Sequence, residues 1–593
     1  MQVPARHNAR TALLVSAVPF IILSPLRAGV ALLGYIDTKE SIWYNKNTDH
    51  PTPPEERRVP VKKRCVRIVV CVICLCCLIL PIIGCNDDKG DGTENKAPLV
   101  YVALDDGSYG VKQGDLSGVK TLTIPATHDG KPVTVILEKG FSGLNELETV
   151  VIEQGVTEVQ KDAFKQCEAL RSVTLPDGLK QIGESAFAHC PRLQSVKLPV
   201  SLEVIDERAF LFCSSIEEVV IPQNVKELGA SAYKGCYQLS AVTLPEGLRS
   251  IGDGAFSGCS RIRSVSLPCA LEKIGACAFS SCTDLTEIVI PDGIIEIADE
   301  AFYYCSSLQS VQLPPNLTVI GKEAFRKCLS LERIALPDTL TVIGDGAFSN
   351  CSALVDIALP GGLVSLGYGV FAQCELLSEL VLPDSLLTLG GRAFYGCKNL
   401  TELRIPDGVR EIGESTFDGC EKLSVVVLGP DIERIGAYAF RGCDRITELA
   451  LGERITSIGI GAFMNCKRLC GAYSFPFLTA IGENAFLGCE ALCEVVGSSR
   501  LSYVGAKAFS GCTDLRVVAL GNVTHIESET FAGCTSLTTF TVGGALVEVH
   551  ERAFDDCLAL TQVFYGGSEV QWALIQFNRF NAPLMLAPRQ CAK

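Results

Sequence analysis

Cysteine is the residue type in this sequence best supplied to do chemistry: of 29 cysteines, 18 stand three places after an aromatic, at near-constant steps from Cys167, Cys190 and Cys213 to Cys557. Thiols in such a file could pair, hold a metal or fill space. Adjacent rungs of a stacked chain lie about 4.8 Å apart with parallel side-chain directions, whereas a disulfide needs Cβ atoms about 3.8 Å apart and a dihedral near 90°. One ligand per coil with no histidine in the file does not build a tetrahedral metal site either. The spacing therefore predicts reduced, buried thiols with weak S–H bonds to turn carbonyls. Cys470 and Cys493 differ, each standing four places after a file cysteine in adjacent coils, and read either as a bridge across one rung or as two exposed thiols. Of the histidines at 7, 50, 128, 189, 525 and 550, no two share a column; His189 precedes a file cysteine and His550 replaces a turn glycine, so both read as turn substitutions. No nucleophile elbow, zinc-protease helix, phosphate loop or dinucleotide fingerprint stands in a fitting context. No catalytic residue, metal ligand or cofactor is expected.

The element that positions these thiols is a repeat. Phe occurs at 141, 164, 187 and 210, Tyr at 233, and Phe again at 256, 279, 302, 325, 348, 371, 394, 417, 440, 463, 486 and 509, all evenly spaced. Phe531 follows one place early and Phe554 resumes the step. The unit reads A-F-x-x-C-x-x-L-x-x-V-x-L-P-x-x-L-x-x-I-G, as in Phe256, Cys259, Ile262, Val265, Leu267-Pro268, Leu271 and Ile274-Gly275. V-x-L alternates as a short strand with one face buried. Pro ends that strand in eleven successive units from Pro176 to Pro406 by removing a backbone donor. The glycine of I-G is expected to turn the chain with positive φ, and A-F-x-x-C to form one helical turn that points aromatic and thiol inward. One unit buries too little apolar surface to offset the entropy of ordering it, so the units must stack. The predicted fold is a repeat solenoid, an arc of about nineteen 23-residue coils with a concave parallel β-sheet and short helical turns and irregular segments on the convex side. Tyr101 to Tyr109 reads as a capping hairpin around Asp106-Gly107, and Tyr565 to Phe577 as a turn and short helix that lays Trp572 over the open end of the core.

The unit L-P-x-x-L-x-x-I-G-x-x-A-F-x-x-C-x-x-L resembles the treponemal-type, or BspA-like, class of leucine-rich repeats, and the segment from Tyr565 to Ile575 is similar to that family's closing segment. The resemblance spans about residues 99–577. After Phe417 the strand-end proline shifts or gives way to glycine (Pro430, Gly452, Pro476, Gly521), and Ala472-Tyr473-Ser474 reads as a weakened strand. The resemblance implies a surface protein with an adhesive role toward host matrix proteins or neighbouring cells.

Residues 61–84 have the basic start and apolar run of a signal peptide, and Ile82-Ile83-Gly84-Cys85 resembles the bacterial lipoprotein box, which makes Cys85 the lipid attachment site. An uncleaved membrane helix is the alternative. Residues 85–98 read as a flexible tether, 99–140 as the N-terminal cap and first strand-Pro units, 141–560 as the repeats and 561–593 as the C-terminal cap and tail. Residues 1–60 hold a second apolar stretch and read as an over-extended gene model with Val61 as the start, or else as part of a double-spanning N-terminus.

With 52 basic against 67 acidic residues and a net charge of −15, a nucleic-acid surface is excluded as a function class. Positions four, five and seven after each file cysteine should face outward on the concave sheet. Position five carries Glu218, Glu287, Asp356, Glu379, Glu402, Glu448 and Glu494, and position seven carries Val220, Val289, Val381 and Val427. This acidic stripe beside valines could receive a basic, extended protein partner, or serve only to keep a long sheet soluble. The expected function is a non-enzymatic, adhesin-like cell-surface protein that binds extracellular or host proteins and meets the membrane through an N-terminal lipid, with an envelope scaffold or glycan-binding accessory module as the alternative.

Overall fold

Each repeat unit closes one coil, and coils bond to their neighbours along three lines, the two strand lines being broken into separate runs. The structure, a computed structural model, describes residues 98–592. One line is a face strand from the V-x-L step, paired parallel between coils, as in Glu218–Val220 with Ala241–Thr243. A second is a two-residue back strand ending at the isoleucine of I-G, as in Ser250–Ile251 with Lys273–Ile274. The third runs through the turn, where the Phe256 N–H donates to the Ala278 carbonyl at 2.8 Å and the Phe302 N–H to the Ala324 carbonyl at 2.9 Å.

That third line corrects the helical-turn reading of A-F-x-x-C. A helix would consume these amides within its own coil; here they point along the stack, and the segment is a run of tight turns bracketed by two left-handed residues per coil, such as Arg208 and Phe212, both at φ 56°. The reading of the I-G glycine is corrected too. Gly252 and Gly505 are not left-handed. A Cβ on Gly252 would stand 2.6 Å from the Ala230 nitrogen, and one on Gly505 2.4 Å from the Glu483 nitrogen, so in these two coils it is close backbone approach that selects glycine, while Asp206, Ala298, Glu527 and His550 take the same column elsewhere.

Between the three lines the side chains lie in files. The aromatics from Phe141 to Phe554 are buried and stack ring on ring at 5.1–6.0 Å. Each of the 18 file thiols donates to the carbonyl of the aromatic one coil earlier, at 3.0–3.4 Å, as Cys259 does to Tyr233 and Cys351 to Phe325.

Both ends are closed by different means. Leu99–Ala103 and Tyr109–Gln113 pair antiparallel around Asp106-Gly107, and the second strand continues the back ladder. At the other end a helix, Glu569–Ala573, is held by a capping box between Ser568 and Gln571 and buries Trp572 against Tyr565. A second helix, Ala582–Leu586, and a last strand, Arg589–Cys591, follow it, the strand pairing parallel with Gln562–Tyr565. The strand expected to be weak at Ala472–Ser474 is instead five residues long, Gly471–Phe475, because Tyr473 and Phe475 turn inward and are buried.

Candidate functional site

The face strands expose positions five and seven and bury position six, which is the period-2 consequence of one side facing the files. Leu403 is 3% exposed while Glu402 and Arg404 on either side of it are open to solvent. Val220, Val289, Val381 and Val427 are all exposed, Val381 at 81%. Glu218, Glu287, Glu379, Glu402 and Glu448 are exposed as well, while Asp356 and Glu494 are half-buried.

Register breaks the expected stripe into pieces. Glu218 lies opposite Ala241, Glu287 opposite Ser310 and Glu494 opposite Val517. Only Asp356, Glu379 and Glu402 occupy three consecutive rungs, Asp356 and Glu379 forming an isolated parallel bridge and Glu402 pairing on with Val425. Arg333, one rung before, pairs with Asp356 at 3.3 Å. Among the described residues the Glu379 and Glu402 carboxylates meet no hydrogen-bond or ion-pair partner. Like charges on neighbouring rungs cost the sheet a few tenths of a kcal/mol to about 1 kcal/mol each, and nothing in the fold requires them there.

Beside these carboxylates lies a depression of about 470 Å³ whose walls include Val381, Pro383, Glu402, Arg404, Val425 and Val427. Arg404 is drawn to its rim by Asp384 at 2.8 Å and Asp407 at 3.1 Å, which neutralises it and leaves the valines uncovered. The result is an apolar hollow with unpaired negative charge along one side.

Cys470 and Cys493 are free thiols, donating to the Thr447 carbonyl at 3.1 Å and the Ala491 carbonyl at 3.4 Å. Cys493 occupies a bulge between the rungs Gly471–Leu492 and Ala472–Glu494, so it does not stand opposite Cys470. His525 and His550, which share no column in the sequence, come within 6.0 Å ring to ring on adjacent coils, with Glu527 and Glu548 each 3.9 Å from His550. Column counting misses this contact because the two residues occupy neighbouring columns two places apart. Among the described residues no group of three or more such side chains is placed to hold a metal. Cys85, the segment 61–84 and the extension 1–60 lie outside the described residues. Among those described, no helix is long and apolar enough to cross a membrane.

Parallel coils of one repeating length, with one strand facing inward and a leucine, phenylalanine and cysteine file behind it, define a leucine-rich-repeat solenoid. The chain belongs to the BspA type leucine rich repeat family, whose sequence model matches residues 134–259, 226–355, 341–470 and 473–577. No curated protein matches it. Among solved structures it is similar to a leucine rich cell surface protein from Faecalibacterium prausnitzii, with 26% identity over 58% of this chain and 95% of that one and a TM-score of 0.39. It is also similar to a leucine-rich repeat protein from Bacteroides ovatus, with 22% identity, 84% and 99% coverage and a TM-score of 0.34. A third is the pneumococcal vaccine antigen PcpA, with 17% identity, 84% and 98% coverage and a TM-score of 0.35.

Proposed function

We propose that this is a non-enzymatic, exported cell-surface protein that acts as an adhesin, binding extracellular proteins on its face strands. The observation that carries the reading is the segment from Glu379 to Val427, where two consecutive unpaired carboxylates, Glu379 and Glu402, stand beside an apolar hollow lined by Val381, Val425 and Val427. Long-range attraction would speed encounter with a basic partner, and the apolar hollow would hold it once water is displaced. Anchoring through a lipid on Cys85 belongs to the same reading.

The test is binding of basic extracellular-matrix proteins to the full chain across a salt series. Binding should weaken as salt rises, and changing Glu379, Glu402 and Glu448 together to Gln should reduce it about tenfold. Metabolic labelling with a fatty acid should mark the wild-type chain and spare Cys85→Ala. Binding to polysaccharide alone, indifferent to the Gln changes, would replace this reading with that of a glycan-binding accessory module.

A further inference from the structure

The back strands make a second repeating surface. Each coil shows two exposed residues there, between a buried leucine-type residue and the buried isoleucine of I-G, and along the stack these form two outward columns. Toward either end the columns are charged and ion pairs join neighbouring rungs, Arg249 with Glu272 at 2.8 Å, Arg410 with Glu433 at 3.8 Å and Arg434 with Glu411. Between these lies a five-stranded sheet that runs from Glu296–Ile297 to Thr388–Leu389 and has Val342–Ile343 as its middle strand. Over it the first column reads Ile295, Thr318, Thr341, Val364 and Leu387, and the second Glu296, Val319, Val342, Ser365 and Thr388. Ile295 is 61% exposed and Leu387 60%. The Thr318 and Thr341 hydroxyls donate to the Ile295 and Thr318 carbonyls at 3.1 and 3.2 Å, so covering the sheet leaves neither donor unpaired. A continuous uncharged strip bounded by charge is the make-up of a contact surface.

Its charges say what covers it. A two-fold axis through the middle rung, lying along the strand, lays each column on the same column of a second chain with the rung order reversed. The uncharged sheet alone fixes that operation. It sets Ile295 against Leu387, Thr318 against Val364, Val319 against Ser365, and Thr341 and Val342 each against itself. One rung beyond the sheet it sets Glu272 against Arg410 and Lys273 against Glu411, and at the next rung Arg249 against Glu433 and Ser250 against Arg434. No charge in the two columns meets its like. Glu296 falls opposite Thr388, and neither side chain has a partner in its own chain among the described residues. Asp345, just past the turn glycine of the middle rung, is already committed to the Tyr368 N–H at 2.7 Å. A two-fold axis along the stack would also match Glu272 with Lys273 and Arg410 with Glu411. It would put Ile295 on Glu296 and Leu387 on Thr388, however, covering a carboxylate with an aliphatic side chain that offers no hydrogen bond.

We propose that this sheet is the contact surface for a second copy of the chain, packed back strand to back strand with the two stacks running in opposite directions. The strip is about 38 Å long and two residues wide, small beside a standard interface, so the pair exchanges with single chains. The flanking charges set the register and exclude shifted pairings. The contact lies apart from the face strands, which belong to another line of the coil, so it holds whether or not those strands bind a partner.

The experiment is sedimentation equilibrium of the full chain in density-matched detergent and reducing buffer, at about 1–100 μM. The wild-type chain should pass from monomer to dimer over that range. Leu387→Glu, which sets a carboxylate against Ile295, should weaken the dimer by about tenfold or more. Glu272→Lys and Arg410→Glu should each weaken it about tenfold, and the double variant should return to within about threefold of wild type, because the two residues face each other across the reversed contact. In the arrangement with rung order kept, both changes create like-charge contacts and the double variant would be the weakest of the three. Circular dichroism at the dilute end checks that each monomer is folded. A wild-type chain that stays monomeric, a dimer indifferent to Leu387→Glu, or losses from the single charge changes that persist in the double variant would each overturn the inference. None of these outcomes bears on the binding of basic proteins to the face strands.

Discussion

The cysteine file is the most regular chemical feature of the chain, and its role is visible one thiol at a time. Each Sγ donates to an aromatic carbonyl in the coil before it, and from Phe210 onward that turn acceptor already receives one amide from its own coil, as Tyr233 does from the Cys236 N–H and the Cys259 thiol. The thiol thus fills the second acceptor site of a buried carbonyl and ties two coils together. Burial pushes Cys305, Cys351, Cys397 and Cys466 up to about 12 from an ordinary 9.0. The neutral form is favoured in the fold more than in the open chain, so the stability it contributes is fully present below about pH 9 and is lost as pH rises toward 12. Melting temperature should therefore fall steeply between pH 9 and 11, and a variant with Cys351, Cys374 and Cys397 changed to Ala should lose less over that interval. A wild-type melting temperature that stays flat to pH 11 would refute the assignment.

At the scale of the element, the turn glycines decide whether coils can approach. Gly252 has ordinary φ but no room, its added Cβ meeting backbone of the previous coil, whereas Gly178 has nothing within 4 Å. Gly252→Ala should cost about 1–3 kcal/mol and Gly178→Ala less than about 0.5 kcal/mol, as read from urea denaturation of the two variants. Reversal of that order would mean that φ and not space selects the residue. Periodicity alone shows that a small residue recurs at this column. It is silent on whether the backbone angle or the neighbouring coil demands it, which is why the two explanations diverge between sequence and structure.

Across the whole molecule, cohesion is nearest-neighbour: each coil touches the one before and the one after. Phe325 stacks on Phe302 at 5.5 Å and on Phe348 at 5.6 Å, with all three rings fully buried. Phe325→Ala should cost about 3–5 kcal/mol, and amide exchange should accelerate in the coils around residues 302–348 while both ends stay protected. Trp572→Ala should loosen only the last coils, since that ring seals one end of the files against Tyr565. Uniform acceleration along the chain in either variant would contradict a stack of locally coupled coils.

The recurrence of Phe, Cys, Leu and Ile-Gly by itself determined the solenoid, its inward files and the alternation that exposes Glu379, Val381, Glu402 and Val427, because a short-period pattern leaves only one way to bury every apolar position. The Asp106-Gly107 hairpin and the position of Trp572 were legible for the same local reasons. Only the tertiary structure decided that Arg404 is drawn off the valines by Asp384 and Asp407, that Arg333 answers Asp356 and leaves Glu379 and Glu402 unpaired, and that His525 meets His550. It also replaced the helical turn by left-handed bends. These features depend on register and on contacts between coils, where positions far apart in the chain become neighbours and compete for the same space, hydrogen bonds and charge.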